Sequence, residues 1–143
     1  MSWERRMRHS MRTTVVALGW LALGSGAAAA QSTHEIRMEV DEKRHEYRFA
    51  PASVTARRGD VLVFKAVSGA PHSVVFEAGG LSAQAHEALN SAMPRRSADL
   101  SSPLLTRNGA EYRISVPALP KGTYRFFCLP HRAYDMRGEL RIE

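Results

Sequence analysis

The chain has 143 residues, 44% apolar and 24% charged, which suits one globular domain and excludes a disordered or low-complexity protein. Its formal net charge of +6 is partly a property of residues 1–30: four of the 20 Lys and Arg and one of the 14 Asp and Glu fall there, leaving 16 basic and 13 acidic side chains, or +3, on residues 31–143. No basic block interleaved with aromatics remains, so nucleic acid is excluded as a partner.

Residues 1–30 read as basic, then apolar, then small: Arg5, Arg6, Arg8 and Arg12, next Val15 to Leu23, next Gly24 to Ala30. That order is a secretory signal, with cleavage expected between Ala30 and Gln31. An uncleaved anchor is the competing reading, since Thr13 to Ala30 spans 18 residues, but Gly19, Gly24, Ser25 and Gly26 make a poor spanning helix. The expected product is a single domain over 31–143 in a periplasmic or other extracytoplasmic space, with no stable membrane insertion after cleavage.

Short apolar alternations follow in order. Glu35 to Val40 puts Ile36, Met38 and Val40 on one side, Tyr47 to Phe49 ends at Pro51, and Val61 to Ala66 follows the turn Arg58-Gly59-Asp60. Further strands are expected at Ser73 to Glu77, Tyr112 to Val116, Thr123 to Cys128 and Glu139 to Ile142. Seven or eight short strands separated by turns predict an all-β, two-sheet sandwich. One exception interrupts them: Leu81, Ala85, Leu89 and Ala92 or Met93 recur at helical spacing, predicting a short helix over Leu81 to Met93 stopped by Pro94. His86 lies off that stripe and reads as a surface residue, and Arg95 to Ala110 reads as loop.

Cys128 is the single cysteine, so it has no intramolecular disulfide partner, and an exported unpaired thiol is exposed to oxidation. Its neighbours give it a purpose. In Cys128-Leu129-Pro130-His131-Arg132-Ala133-Tyr134-Asp135-Met136 a thiolate, an imidazole and a thioether fall within nine residues. Thiolate and imidazole suit copper, and two His with one Cys and a weak axial Met is the donor set of blue-copper electron-transfer sites. The second imidazole must come from elsewhere, and Pro71-His72-Ser73-Val74-Val75-Phe76 offers His72 at the start of an apolar strand. Met136 is the candidate with the strongest competing reading, as a packing residue. His34 and His45 are candidates only for adventitious weak metal binding.

These motifs resemble those of the plastocyanin and azurin family of small blue copper proteins, within the cupredoxin superfamily. The resemblance rests on Phe49-x-Pro51, Gly59-Asp60, Pro71-His72-x-Val74-Val75-Phe76, Gly122-Thr123-Tyr124, Cys128-x-Pro130-His131 and Met136-x-Gly138, and covers the chain from about Phe49 to its end. The Cys-to-His and His-to-Met steps are those of plastocyanin and pseudoazurin, whereas the helix-bearing insertion is more azurin-like. Two positions depart from the family pattern: Asp135 stands where Gly is usual, and Ser73 where Asn is frequent.

The resemblance implies a cupredoxin-like Greek-key sandwich holding one copper ion, Cu(I) or Cu(II), on His72, Cys128, His131 and Met136. It also implies a soluble single-electron carrier and not an enzyme, expected to be a monomer. Its redox partners are expected to dock transiently around His131, which is flanked by Pro71, Pro130, Ala133 and Tyr134. With Arg132 and Arg137 in or beside the loop, the partner is expected to present an acidic face. Copper delivery from the same site is the alternative function. A cysteine-nucleophile enzyme built on Cys128 and His131 is the weaker one, because no orienting Asn or Asp with a substrate cleft accompanies the pair.

Overall fold

Apolar alternation becomes a pair of twisted sheets whose inner faces share one core. The computed structural model describes residues 30–143; the expected secretory signal therefore lies, Ala30 apart, outside the described residues. In chain order the strands are β1 (Thr33–Asp41), β2 (Glu46–Ala50), β3 (Ser53–Ala56), β4 (Val61–Ala66) and β5 (Val75–Phe76), then helix α1 (Ala83–Ala92), then β6 (Glu111–Ser115), β7 (Gly122–Phe127) and β8 (Arg137–Ile142). One sheet has the order β2-β1-β4-β6 and the other β3-β8-β7-β5. This is the cupredoxin sandwich expected from the sequence, with eight strands and one short α-helix among the described residues.

Two strand pairs are parallel, β1 with β4 and β3 with β8, and both join segments that are not connected by a hairpin. Strand β3 has no counterpart among the sequence-predicted strands. It follows directly on the Pro51 turn, is only four residues long, and gains its ladder from β8 at the other end of the chain. Conversely, the strand expected over Ser73 to Glu77 keeps regular pairing with β7 only at Val75 and Phe76.

The centre of the core is Phe126 on β7. Its ring meets Phe49, Phe64 and Phe76 edge to face at centroid distances of 4.9, 5.3 and 5.7 Å. Each such pair adds about 0.5–1.5 kcal/mol beyond the burial of the ring itself. Gly138 lies opposite Phe126 in the β7/β8 ladder, where a Cβ would collide with that ring, so glycine is required for this close approach.

Helix α1 packs on the sandwich through Ala85, Leu89 and Met93, all buried, as its stripe predicts. Ser82 caps its N-terminus, accepting from the Ala85 N–H at 3.1 Å, and Pro94 follows its C-cap. No helix among the described residues is long and apolar enough to cross a membrane.

Candidate metal centre

The residues singled out in the sequence come from two segments that meet at one end of the sandwich. Because β1 and β4 run parallel, the turn that leaves β4 packs beside the end of β1. There the Ser68 hydroxyl accepts from the Val40 N–H at 2.9 Å and donates to the Val40 carbonyl at 3.1 Å. Gly69 follows at φ 69°, tight against Val40, where a Cβ would collide with that side chain. This turn fixes the Ser68 carbonyl, which lies 2.6 Å from His72 Nε2. A carbonyl only accepts, so Nε2 carries the hydrogen and Nδ1 keeps its lone pair. That lone pair faces Cys128 Sγ, 3.7 Å away.

The second segment leaves β7 at Phe127 and enters β8 at Arg137. It is held by Cys128 N–H donating to the Met136 carbonyl at 3.0 Å, by Tyr134 N–H donating to the His131 carbonyl at 3.0 Å, and by a single 3-10 turn over Arg132–Tyr134. Asp135 then takes a left-handed conformation, φ 55° and ψ 34°. Aspartate tolerates that region better than most residues, so the position reaches the backbone path that glycine would supply. His131 Nδ1 is thereby placed 3.5 Å from Cys128 Sγ.

The donor atoms of His72, Cys128 and His131 lie within 4.8 Å of one another. Cys128, His72 and Met136 are fully buried, while His131 is only half-buried. Ser73 links the two segments in place of the more frequent Asn: its N–H donates to Cys128 Sγ at 3.4 Å, and its hydroxyl accepts from the Leu129 N–H at 3.1 Å. Burial pushes the Cys128 thiol up, opposed by hydrogen bonds from Ser73 and His131. It also lowers both imidazoles, His131 being lowered further by the charge of His72. Two neutral imidazoles facing one soft sulfur in a water-poor setting fit a thiophilic metal, and copper above all.

The remaining sequence candidates lie elsewhere. His34 Nε2 sits 3.0 Å from Asp60 Oδ2 at the other end of β1, His45 is exposed in a hairpin, and half-exposed His86 meets Asp99 Oδ2 at 2.9 Å. Phe126 is buried beneath the site, whereas Leu129 and Tyr134 are each 53% exposed and form a surface rim. Arg137 is bound to Glu77 and Asp135, whereas Arg132 joins no ion pair among the described residues and lies over the Phe127 ring at 4.9 Å.

Three neighbours escaped the sequence reading. Tyr47 of β2 stacks on Tyr134 at 4.0 Å and stands 5.0 Å from the His131 ring. Ser68 acts through a carbonyl, which leaves no signature in the side-chain pattern. Leu105 pairs with both backbone groups of His72, at 3.1 and 2.8 Å, from a segment that reads as loop. Tyr47 alone carried a usable signal, an aromatic on the same strand face as Phe49.

A family profile, that of the copper binding proteins of the plastocyanin/azurin family, matches residues 35–143. The chain is 29% identical to the chloroplastic plastocyanin of Pisum sativum over 143 residues, 99% of this chain and 80% of that protein. It is 34% identical over 94 residues to the plastocyanin of Vicia faba, 66% of this chain and 86% of that protein. Among solved structures it is similar to the oxidized form of plastocyanin from Dryopteris crassirhizoma, with a TM-score of 0.59 and 25% identity over 77% of this chain and 100% of that one. A reduced Cu(I) form of an amicyanin mutant shares the fold, with a TM-score of 0.53 and 20% identity over 82% of this chain and 88% of that one.

Proposed function

The chain belongs to the plastocyanin/azurin family of copper binding proteins, and we propose that it is an exported, soluble carrier of single electrons whose copper is held by His72, Cys128, His131 and Met136. Membership makes copper its cofactor and makes it a binding protein, not an enzyme. The observation that carries the proposal is the convergence of two Nδ1 atoms on one buried sulfur, from segments fixed by two different sheets.

Copper bound there supplies a couple that gains and loses one electron. The chain's contribution is to hold the donors in one geometry for both states. The Ser68 carbonyl orients His72, Ser73 ties Leu129 to the His72 segment, and the Met136 carbonyl anchors Cys128. Burial keeps water from the sulfur and keeps both imidazoles neutral, ready to ligate, while the thiol gives up its proton when metal enters. His131 alone reaches the surface, so its ring is the short path outward. Leu129 and Tyr134 surround it with exposed apolar area, which suits a small, quickly released redox partner. Unpaired Arg132 beside that rim favours an acidic partner.

The leader-like residues 1–30 support export to a periplasmic or similar space, and N-terminal sequencing of exported protein tests it by finding Gln31 first. The copper reading is tested by adding Cu(II) to residues 31–143: an intense visible thiolate-to-copper band with a narrow hyperfine pattern is expected, and its absence overturns the site. Fast, reversible one-electron exchange with copper retained against a chelator separates the carrier from a copper-delivery protein, which would release its metal.

A further inference from the structure

Around the metal centre, the backbone of His72 depends on a segment that neither sheet contains. Both its N–H and its C=O pair with Leu105. The same segment continues along the edge of β5: Ser102 N–H donates to the Val74 carbonyl at 2.9 Å, the Ser102 hydroxyl accepts from the Val74 N–H at 2.9 Å, and Leu100 accepts from the Phe76 N–H at 2.9 Å. Residues 100–105 thus form a strap over the outer edge of the chain from His72 to Phe76. On the other side, β7 gives regular pairing only to Val75 and Phe76.

The strap is in turn held by helix α1 through one buried side chain. Asn90 Oδ1 accepts from the Leu100 N–H at 2.8 Å, and its Nδ2 donates to Asp99 Oδ1 at 2.6 Å. The other oxygen of Asp99 receives His86 from the preceding turn of the same helix, at 2.9 Å. Leu100 needs such fixing. It is a fully buried leucine at φ 51°, a left-handed conformation that a residue with a branched side chain keeps only where its surroundings over-determine it.

We propose that Asn90 is a positioning residue for the copper centre: it locks Leu100, Leu100 registers the strap on Val74 to Phe76, and Leu105 at the strap's far end sets the backbone of His72 and closes it from solvent. The inference rests on the assignment of His72 as a copper ligand. The helix-bearing insertion is then part of the metal site's support and more than a cover for the sandwich. Outer partners of ligands change metal affinity by about 10–100-fold when removed. Truncating Asn90 is therefore expected to fall in that range although the residue touches no ligand.

The test compares wild type, Asn90→Ala, and the exchanged pair Asn90→Asp with Asp99→Asn. The exchange restores the acceptor for Leu100 and reverses donor and acceptor between the two side chains. Measured are the visible band, the reduction potential, and the rate of copper loss to a chelator. Asn90→Ala is expected to lose copper about 10-fold faster or more and to shift the potential, and the exchanged pair to recover both. A variant that melts lower but matches wild type in potential and copper loss overturns the proposal and leaves Asn90 as packing. Should Asn90→Ala not fold, single Asp99→Asn is measured instead, with the same signs and smaller changes, and wild-type values there likewise overturn it. A wild-type protein that shows no band fails the site assignment itself, whereas a blue wild type with an unaffected variant fails only the strap.

Discussion

The two ends of β1 and β4 carry histidines in opposite circumstances. At the start of these strands His34 lies on the Asp60 carboxylate, which also accepts the N–H groups of Ser32 and Arg57, each at 3.0 Å. Those hydrogen bonds, that of Arg57 foremost, bring the Asp60 carboxyl down to about 2. At the far end two imidazoles face a sulfur, and among the described residues no carboxylate joins them. One scaffold therefore builds an anchor and a metal site from the same residue type. A hard carboxylate ringed by N–H donors is already satisfied and holds the first strand in place. A soft sulfur with two lone pairs aimed beside it is satisfied only by a thiophilic ion.

Each end is expected to respond to its own changes. Cys128→Ser has the largest effect: loss of the whole visible band with the sandwich still folded by circular dichroism, and a surviving band would refute the ligand assignment. Next come the two imidazoles. His131→Gly opens a position at the surface, where added imidazole should restore colour promptly. His72→Ala opens one beneath the strap, where rescue should be slower or absent. Equal rescue of both by stopped-flow would contradict the difference in burial.

Met136→Leu is expected to keep the blue colour and raise the reduction potential, because a donor to Cu(II) is lost while the three stronger ligands remain. Voltammetry indistinguishable from wild type would make Met136 a packing residue. Arg132→Glu is expected to leave spectrum and potential alone. It should slow electron transfer to an acidic cytochrome by a few-fold at low ionic strength, on the order of what one charge contributes to steering, with the difference fading as salt rises. Rates that do not differ would remove the acidic partner.

The smallest effect belongs to the other end. The carboxyl of Asp60 is held below its ordinary value, so its stabilisation is complete above pH 3.8 and disappears as pH falls from there to about 2. Asp60→Asn should therefore flatten the loss of stability in that window, read by urea unfolding at a series of pH values, while the copper spectrum at neutral pH is unchanged. An acid slope equal to wild type would show that the anchor contributes nothing in this range.

The metal-binding loop was legible in the sequence because three of its donor types fall within nine residues, and donor chemistry does not depend on which strands flank them. Seven of the eight strands were legible in the sequence, β5 with bounds too wide, as was the helix from its stripe of Leu81, Ala85, Leu89 and Ala92 or Met93. Strand β3 was not, since Ser53 to Ala56 are only four residues directly after the Pro51 turn and gain their ladder from β8 at the other end of the chain. His86 reads as a surface residue because its partner, Asp99, lies beyond the end of its helix.

By itself the sequence determined the all-β class, the copper donor set and the loop that bears most of it, because these follow from local periodicity and from the softness of sulfur and imidazole. Only the tertiary structure decided which atoms orient those donors. The Ser68 carbonyl, the paired backbone of Leu105, the stack of Tyr47 on Tyr134 and the grip of Asn90 on Leu100 all join residues distant along the chain. Backbone groups are the same in every residue, so which of them meet is set by the packing of the two sheets and the helix.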